Sequence, residues 1–262
     1  MTRRRLDAEL VRRGLASDRA AARAAVDAGT VRVDGAVAMK VTTMVADDTP
    51  VELLEAPRRY VSRGGTKLAA ALDRFAIDPE GRHGLDAGAS TGGFTDVLLR
   101  RGAAHVVAVD VGYGQLGWEI RTDPRVTVLE RTNVRDLGRE DLPYAPDLVV
   151  ADLSFISLRR VVPVLERLAT RDATFVLLVK PQFEAGKDDV GPGGVVRDAA
   201  VWRRTLEGVI SAAGNAGLAA AGVMASPITG PAGNVEFLLH LARDAGGADV
   251  DAALREGEAI TG

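Results

Sequence analysis

The 262-residue chain contains no cysteine, which removes several kinds of chemistry at once. Without thiols it has no disulfides, no thiolate-ligated metal sites and no cysteine nucleophile. It also lacks any apolar run near the roughly 18 to 20 residues that a membrane-spanning helix requires. The arginines at positions 3–5 lead into Leu6-Asp7 rather than into the apolar core of an export signal. We therefore expect a cytoplasmic protein that does not act on membranes.

The length and composition favour one large domain and one small domain. Hydrophobic residues make up 47% of the chain and charged residues 26%, which is typical of a globular protein. The first part of the chain has a pattern of short helices and strands, and from Tyr60 longer strands and helices alternate. We predict the following organisation: a domain at 1–57, a linker at 58–63, a second domain at 64–243 and a weakly ordered Gly/Ala/Asp-rich tail at 244–262.

The start of the chain is its basic end. Residues 1–23 hold seven arginines and three acidic residues, whereas the whole chain has a formal net charge of −3. Apolar spacing and turn residues predict helices over 6–14 and 19–28, strands on either side of the Asp34-Gly35 turn, and a strand over 51–54. A run of charge is often only a solvated face, so by itself this pattern is modest evidence for RNA binding.

This basic end contains Arg5-Leu6-Asp7, Arg13-Gly14-Leu15, Ser17 with Arg19, Ala20 and Ala22, and the stretch Gly-Thr-Val-Arg-Val-Asp-Gly at 29–35. These four segments resemble the alpha-L RNA-binding motif of a small-subunit ribosomal protein and many pseudouridine synthases. The resemblance implies that the two helices contact RNA phosphates without reading bases. The candidate RNA-binding residues are Arg4, Arg5, Arg12, Arg19 and Arg23. The alternative interpretation is a small α/β cap that shields the larger domain.

The second domain alternates strands with helices, which predicts an α/β fold with a parallel sheet covered on both faces. Strands are predicted over 83–87, 105–109, 126–130, 147–151, 174–179, 218–225 and 235–241. Helices are predicted over 65–76, 93–101, 113–121, 158–169 and 198–214. Seven strands, the last two joined through the turn region 227–233, suit a Rossmann-like methyltransferase sheet, in which the final strand inserts antiparallel.

A strand, a glycine-rich turn and a helix start follow one another over residues 85–94. Small residues in such a turn let the backbone approach a ligand closely. The dinucleotide fingerprint Gly-x-Gly-x-x-Gly would require glycine at the position of Ser90, so a nicotinamide enzyme is the weaker interpretation. Asp110 ends the next strand, where a carboxylate can accept hydrogen bonds from both ribose hydroxyls of an adenosine. The combination predicts a site for S-adenosylmethionine.

One strand further along, a polar turn at 131–136 lies where such folds contact an adenine, although an ordinary polar turn describes it almost as well. The predicted cofactor-binding residues are Asp86, Gly88, Ala89, Ser90, Thr91, Gly92, Gly93, Phe94, Asp110, Asn133, Val134 and Asp152. No metal is expected, because the sulfonium of the cofactor already makes its methyl group electrophilic.

Four charged residues are predicted to meet at one edge of the sheet. Asp152 and Lys180 follow the fourth and fifth strands, at the carboxyl ends where open α/β sheets place active sites. Lys67 lies at a helix start and Glu236 inside an apolar strand. A lysine directly after a buried strand has to be solvated, paired or used. Each residue has a plain structural interpretation by itself, but four at one edge favour a catalytic site.

The order Lys67, Asp152, Lys180, Glu236 resembles the Lys-Asp-Lys-Glu tetrad of the FtsJ-type ribose 2′-O-methyltransferases. The resemblance implies transfer of a methyl group from S-adenosylmethionine to a ribose 2′-hydroxyl. That hydroxyl is a poor nucleophile until its proton is removed, and a lysine removes it only in the neutral form. We assign Lys180 as the base, Asp152 as the residue that orients it, and Lys67 and Glu236 as substrate-positioning residues.

Other methyl acceptors fit the residues less well. Methylation of an exocyclic amine typically uses an Asn or Asp-Pro-Pro-Tyr loop after the fourth strand, whereas residues 152–155 read Asp-Leu-Ser-Phe. Methylation of a cytosine carbon uses a cysteine nucleophile, which this chain lacks.

The fusion of an alpha-L domain to this methyltransferase domain resembles the TlyA family, whose members are described both as haemolysins and as 2′-O-methyltransferases of ribosomal RNA. The segments that carry the resemblance are 60–68, 110–116, 180–184 and 193–198. It implies cytidine targets in the RNA of the small and large ribosomal subunits, which would be the partners. Two other interpretations stay open, a membrane-active haemolysin and a non-catalytic ribosome-assembly RNA binder with a vestigial cofactor site.

Overall fold

A computed structural model of the chain describes residues 3–54 and 60–261. The chain divides into two compact units, residues 1–59 and residues 60–262. The predicted domain boundary at 57 and the first part of the predicted linker, residues 58 and 59, lie outside the described residues. None of the helices in the described ranges is long and apolar enough to cross a membrane.

The first unit contains two helices and five short strands in its described part. The helices are α1 (Leu6–Arg12) and α2 (Arg19–Asp27), and the strands are β1 (Arg3–Arg5), β2 (Val31–Val33), β3 (Ala36–Val37), β4 (Met44–Ala46) and β5 (Val51–Leu53). β1 pairs antiparallel with β4, and a second sheet has the order β3-β2-β5. The sequence predicted both helices and the Asp34-Gly35 turn, but not β1 or β4.

Local sequence signals explain where these helices begin and end. The Asp18 side chain caps α2 by accepting a hydrogen bond from the Ala21 amide at 2.8 Å. Gly14 and Gly29 follow the two helices with φ values of 70° and 69°, a conformation that glycine adopts without strain. The apolar faces of the helices pack on the strands to form a small core of Leu6, Leu10, Ala22, Val26, Val31, Ala38 and Val45.

The second unit is built on the seven-stranded sheet that the sequence predicted. Its strands are β6 (His83–Ala87), β7 (His105–Val109), β8 (Val126–Leu129), β9 (Leu148–Ala151), β10 (Thr174–Val179), β11 (Ala219–Ala225) and β12 (Phe237–Ala242). They lie in the order β11-β12-β10-β9-β6-β7-β8. Only β12 runs against the other six strands. The predicted α/β fold class with an antiparallel final strand is therefore confirmed.

Helices cover both faces of this sheet. They are α3 (Arg63–Arg74), α4 (Gly93–Arg100), α5 (Trp118–Arg121), α6 (Val162–Leu168), α7 (Pro181–Glu184), α8 (Ala199–Asn215) and α9 (Val250–Thr261). Successive strand residues point to opposite faces, so Val106 belongs to one buried cluster and Val107 to the other. A strand that is buried on both faces reads as a continuous apolar run, as the sequence of β7 does.

The structure corrects the expectation for the tail. Residues 250–261 were expected to be weakly ordered, and they form α9, which packs against β11 and α8. The Asp249 side chain caps the helix by accepting a hydrogen bond from the Ala252 amide at 2.9 Å. Its buried face contains Ala253, Leu254 and Gly257. The small residues that suggested disorder are those that let the helix pack closely.

Two predicted helices also differ in extent, and one short helix was not predicted. The helix predicted over 113–121 is only the single turn of α5, and the one predicted over 158–169 begins as a 3₁₀ turn at Leu158–Arg160 before α6. The short helix α7 was not predicted at all. These segments surround the carboxyl edge of the sheet, where tertiary contacts outweigh local propensity.

Replacing Leu254 with Ala tests whether α9 is a packed part of the second unit. We expect the thermal midpoint of unfolding to fall, because truncating a buried leucine costs about 2 to 5 kcal/mol. The measurement is calorimetry or near-UV circular dichroism on the full chain. Glu258→Ala, at an exposed position on the same helix, is the matched control. Equal midpoints for both variants and the wild type would contradict the docking of α9.

Candidate active site

A cleft of about 1310 Å³ opens at the carboxyl edge of the sheet in the second unit. Segments that follow five neighbouring parallel strands form its walls, as expected for an open α/β sheet. Six of the predicted cofactor residues line it: Gly88, Ser90, Asp110, Asn133, Val134 and Asp152. The structure therefore brings these six predicted cofactor residues together around the cleft.

The glycine-rich turn after β6 lies directly against the segment after β9. Gly88 has φ 88°, and a Cβ atom at this position would stand 2.5 Å from the carbonyl oxygen of Asp152. A side chain is therefore excluded both by the backbone angle and by the space available. Ser90 also has a positive φ, 48°, which a short polar side chain tolerates better than a bulky one. The turn is compact because its neighbour leaves room for backbone only.

Asp110, at the end of β7, shapes the opposite wall of the turn. Its Oδ2 accepts a hydrogen bond from the Ser90 amide at 2.8 Å, and its Oδ1 accepts one from the Gly112 amide at 2.7 Å. Each carboxylate oxygen can accept more than one hydrogen bond, so acceptor capacity remains for a ligand. This geometry fits the predicted contact with adenosine ribose hydroxyls and adds a structural task, which is to hold the glycine-rich turn.

Asp86 is a fully buried carboxyl beneath this turn. Its Oδ2 accepts a hydrogen bond of 2.6 Å from Thr95 Oγ1, and its Oδ1 has no hydrogen-bond partner within the described residues. Burial raises the pKa of Asp86 to about 7, the Thr95 hydrogen bond opposes the rise, and the charges of Asp152 and Asp110 add to it. Asp86 does not line the cleft, so any effect on a ligand passes through its neighbours.

Lys180 and Asp152 form the first of two ion pairs in the predicted tetrad. The Lys180 Nζ lies 2.5 Å from Asp152 Oδ1 and donates a hydrogen bond of 3.1 Å to Ser154 Oγ. The side chain of Lys180 is 11% exposed and that of Asp152 is 23% exposed. An amine held by a carboxylate and a hydroxyl at the mouth of a cleft can exchange a proton with a bound hydroxyl.

Lys67 and Glu236 form the second ion pair of the predicted tetrad. Their side chains are 6% and 1% exposed, so both charges are almost wholly removed from water. Burying a charge is unfavourable unless it is paired and hydrogen-bonded, and the Lys67 ammonium donates directly to Glu236 Oε2. This pair lies deeper than the pair formed by Lys180 and Asp152.

Strand register brings the two pairs to the same edge. Val179 pairs with Phe237 in the antiparallel ladder, so the next positions, Lys180 and Glu236, lie opposite each other. At Gly64, one turn before Lys67 on α3, a Cβ atom would lie 3.6 Å from Asp152 Oδ2. The structure therefore brings all four predicted catalytic residues to the sheet edge beside the cleft, arranged as two ion pairs.

The remaining predicted cofactor residues do not line the cleft: Asp86, Ala89, Thr91, Gly92, Gly93 and Phe94. Several of them pack the start of α4 instead. A Cβ atom at Gly93 would overlap the Ser62 hydroxyl, and one at Gly92 would meet Leu116 at 3.0 Å. Phe94 is buried in the core. The second half of the glycine-rich stretch therefore allows the start of α4 to pack closely against Ser62, the residue before α3.

Two aromatic residues at the cleft were not among the predicted site residues. Phe155 is 91% exposed and has φ 62°, an uncommon angle for a bulky residue. Its ring lies 5.1 Å from the ring of Phe183, centroid to centroid, and both residues line the cleft. The sequence feature that could have indicated Phe155 as a site residue is its position as an aromatic residue in the loop after the fourth predicted strand. Such an exposed ring can stack on a planar ligand.

The predicted RNA-binding arginines of the first unit fall into two groups. Arg4 and Arg12 pair with the buried Glu9, and Arg5 pairs with Asp7. The Arg12 guanidinium in particular lowers the pKa of Glu9 to about 2, against the effect of burial. Arg19 and Arg23 are exposed, and within the described residues no ion pair holds them. Their guanidinium groups are the more available to an external anion.

The described residues contain no cluster of three or more histidine, aspartate or glutamate side chains placed to hold a metal ion. The three histidines lie in β6, β7 and β12 rather than at the cleft.

The fold and the site define a class, that of the Rossmann-like methyltransferases. Its features are the sheet order with one antiparallel strand, the glycine-rich turn after the first strand of the unit and the acidic residue that ends the second. Residues 60–243 match the FtsJ-like methyltransferase family, and residues 4–46 match the S4 domain, the alpha-L fold that the sequence predicted.

Individual relatives are similar over most of the chain. The chain is 58% identical over 240 residues to the 16S/23S rRNA (cytidine-2′-O)-methyltransferase TlyA of Mycobacterium tuberculosis, covering 91% of this chain and 90% of that protein. It is 38% identical over 237 residues to Hemolysin A of Brachyspira hyodysenteriae, which covers 90% of this chain and 98% of that protein. A crystal structure from Lactococcus lactis, provisionally named a hemolysin, is 43% identical with a TM-score of 0.75, covering 77% of this chain and 100% of that one. The chain belongs to the TlyA family of FtsJ-like methyltransferases.

The buried carboxyl of Asp86 makes the stability of the fold depend on pH. Its pKa is about 7 in the folded protein and near 3.8 in an unfolded chain, so the folded state binds the proton more tightly. Its contribution to stability is therefore complete below about pH 4 and is lost as pH rises through about 7.

We expect Asp86→Asn, which cannot ionise, to gain stability relative to the wild type as pH rises from 5 to 8. One pKa unit corresponds to about 1.4 kcal/mol, so the relative gain is about 2 to 3 kcal/mol over this interval. The measurement is thermal unfolding of both proteins at the two pH values. Asp73→Asn, at an exposed position, is the control. A difference between variant and wild type that does not change with pH would show that Asp86 does not titrate in this range.

Proposed function

We propose that this protein transfers a methyl group from S-adenosylmethionine to the 2′-hydroxyl of a cytidine in ribosomal RNA. The observation that carries the proposal is the contact of Lys180 with Asp152, which lines a cleft together with Gly88 and Asp110. The printed activity of the Mycobacterium tuberculosis relative, cytidine 2′-O-methylation of 16S and 23S rRNA, supports the choice of acceptor and of RNA. The proposed partners are the ribosomal subunits, and the proposed location is the cytoplasm, where they are found.

The residues of the cleft fit S-adenosylmethionine. The backbone of Gly88 leaves room for a ligand to come close to the turn, and Asp110 retains acceptor capacity for ribose hydroxyls. Asn133 and the backbone of Val134 line the part of the cleft assigned to adenine. When bound, the cofactor supplies an electrophilic methyl group on a positively charged sulfur. No metal is needed in this proposal.

Lys180 is the proposed base. In its neutral form its Nζ can accept the proton of the ribose 2′-hydroxyl, which makes the oxygen a better nucleophile. The amine lies 2.5 Å from Asp152 Oδ1 and donates a hydrogen bond to Ser154 Oγ, so both residues hold it beside the cleft. Preorganising these groups lowers the barrier, because they do not have to be ordered during the reaction.

Lys67 and Glu236 are proposed to position the substrate. They are too buried to act as free surface charges, but Glu236 lies opposite Lys180 in the strand ladder. Phe155 is proposed to stack on the base of the target nucleotide, since its exposed ring stands at the mouth of the cleft. Base–aromatic stacking tolerates any base, so this contact orders the nucleotide without selecting it.

The first unit is proposed to hold the RNA. Its S4 domain presents Arg19 and Arg23 one helical turn apart on α2, and the predicted contacts of Arg4, Arg5 and Arg12 with RNA remain part of the proposal. We also propose that residues 1–57 form the RNA-binding domain, residues 58–63 a linker and residues 64–243 the catalytic domain.

Two other functions receive less support. A membrane-active haemolysin is suggested by the name of the Brachyspira hyodysenteriae relative, but no feature of the cleft is needed for such an activity. A ribosome-assembly RNA binder with a vestigial cofactor site would not require the ordered pair of Lys180 and Asp152. The ordered charges at the cleft therefore favour the enzyme.

The test of the proposed function is to map ribose methylation in ribosomal subunits treated with this protein and S-adenosylmethionine. We expect alkali-resistant cytidine positions with the wild type and none with Lys180→Arg or Lys180→Ala. Arginine keeps the charge of lysine but does not lose its proton at accessible pH, so it preserves electrostatic stabilisation and not a base.

Binding of the cofactor and of RNA by both variants, measured by calorimetry and filter retention, serves as the control. Methylation by Lys180→Arg at the wild-type rate would contradict the base assignment alone. No methylation by the wild type on either subunit would contradict the proposed function. If methylation were found on a base instead of the ribose, the acceptor would be wrong.

Arg19 and Arg23 of α2, which form no ion pair within the described residues, allow a prediction for RNA binding. We expect Arg19→Ala combined with Arg23→Ala to weaken RNA binding and to lower its salt dependence by about two counterions, because each phosphate contact releases roughly one ion. The measurement is RNA affinity at several salt concentrations. Arg13→Ala is the comparison, because Arg13 is held by Glu9 and by the Thr49 carbonyl. An unchanged salt slope in the double variant would exclude α2 as the phosphate anchor.

A further inference from the structure

Two chain segments meet at the cleft through a series of contacts along their length. One is the loop after β9, residues 152–158, and the other is residues 180–184, which comprise Lys180 and α7. At the cleft end Lys180 contacts Asp152 and Ser154. Next along, the Phe183 ring packs against Phe155. At the far end Glu184 reaches the last residues of the loop, and this end is the subject of the inference.

Glu184 is a buried carboxylate, 6% exposed, and its side chain is hydrogen-bonded to the end of the loop and to Arg159, which follows it. Its Oε1 accepts a hydrogen bond of 2.6 Å from the Leu158 amide, and its Oε2 accepts one of 2.5 Å from Ser157 Oγ. Arg159 closes the arrangement, because its Nε donates to Glu184 Oε2 at 3.2 Å and its Nη2 donates to the Glu184 carbonyl at 2.7 Å. Hydrogen bonds to a charged acceptor are among the stronger ones in proteins.

Burying this carboxylate is unfavourable, which argues that it has a task. Burial raises the pKa of Glu184, while its hydrogen bonds from Ser157 and Leu158 and the charge of Arg159 favour the ionised form. A buried charge can often be replaced by apolar residues without loss of stability, so stability alone is a weak reason for its presence. Its partners are the last two residues of the loop that carries Asp152, Ser154 and Phe155, and Arg159, which follows the loop directly.

A single helical turn connects Glu184 to Lys180. Pro181 begins α7 with its fixed φ, and the Phe183 amide donates to the Lys180 carbonyl at 2.9 Å. The Ala185 amide donates to the Pro181 carbonyl at 2.8 Å and completes the turn. These hydrogen bonds and Pro181 hold the backbone of the turn in one conformation. A displacement of Glu184 relative to the loop is therefore passed to Lys180.

We propose that Glu184 is a positioning residue that clamps the segment carrying Lys180 to the loop carrying Asp152. The clamp sets the distance and direction between Lys180 and Asp152. Its partners Ser157 and Arg159 line the cleft, whereas Glu184 itself does not. Glu184 touches neither member directly and is not proposed to contact substrate or cofactor. The inference rests on the proposed function, because it assigns Glu184 to the geometry of the same proton transfer.

The test compares Glu184→Ala, Glu184→Gln and Ser157→Ala with the wild type in methyl transfer to ribosomal subunits. We expect kcat to fall about 10- to 100-fold in Glu184→Ala, since a misplacement near 1 Å can cost that much. The KM for RNA and the Kd for S-adenosylmethionine should stay within about threefold of the wild type, because uniform binding is not affected. Glu184→Gln should retain more activity, because its amide oxygen still accepts from Leu158, and Ser157→Ala should lie between the wild type and Glu184→Ala.

Glu166→Ala is the matched control, because it removes an ion pair with Arg243 in the same unit and does not line the cleft. It should keep the wild-type kcat. The inference is overturned if Glu184→Ala and Glu184→Gln both keep the wild-type kcat, if they change only KM or Kd, or if Glu166→Ala loses as much activity. Should Glu184→Ala not fold, the kcat of Glu184→Gln decides by the same criterion, because Ser157 lines the cleft and its replacement can also alter contacts with a ligand.

Hydrogen exchange of the full-length proteins separates this inference from the proposed function. Glu184→Gln should speed exchange of the Leu158 amide and of residues 152–158, while Glu166→Ala should leave them unchanged. Unchanged exchange in Glu184→Gln would overturn the clamp even in an active enzyme. If the wild type transfers no methyl group, the proposed function fails, and faster exchange still supports the link between the two segments.

Discussion

The contact between the backbone of Gly88 and the carbonyl of Asp152 places the glycine-rich turn after β6 and the loop after β9 in one site. No side chain fits between them, since a Cβ atom on Gly88 would lie 2.5 Å from that carbonyl. The Asp152 amide in turn donates to the Ala87 carbonyl at 3.0 Å, so the two segments are joined on both sides. The cleft, the glycine-rich turn and the pair of Lys180 and Asp152 all depend on this close approach of β6 and β9.

The site is built from charges that the core would otherwise exclude. Lys67, Glu236 and Glu184 are buried and paired, and Asp86 is buried with one oxygen lacking a partner within the described residues. Pairing recovers part of the desolvation cost of each charge, and the rest lowers the stability of the fold. Such a cost is tolerated where geometry matters more than stability, which is the edge where methyl transfer is proposed.

Formal charge and available charge differ in the first unit. Residues 1–23 contain seven arginines, but several of them form ion pairs with Glu9 or Asp7 inside the first unit. Glu9 in particular binds Arg12 and Arg13 and thereby ties α1 to the loop at 46–49, because Arg13 also donates to the Thr49 carbonyl. The arginines of α2 remain for an anion outside the protein, so the basic helix and the structural helix are different helices.

The sequence alone determined the succession of the seven strands of the second unit, the position of the glycine-rich turn and the four residues proposed as the tetrad, because apolar periodicity and motif spacing are local properties. It predicted that Asp152 orients Lys180, but it could not determine that Lys67 pairs with Glu236, since strand register and the path of α3 set that partner. It also did not reveal α9 or the exposed ring of Phe155. The packing of Ala253 and Leu254 and the φ of 62° at Phe155 arise from contacts between segments distant in the chain, and only the tertiary structure decides those.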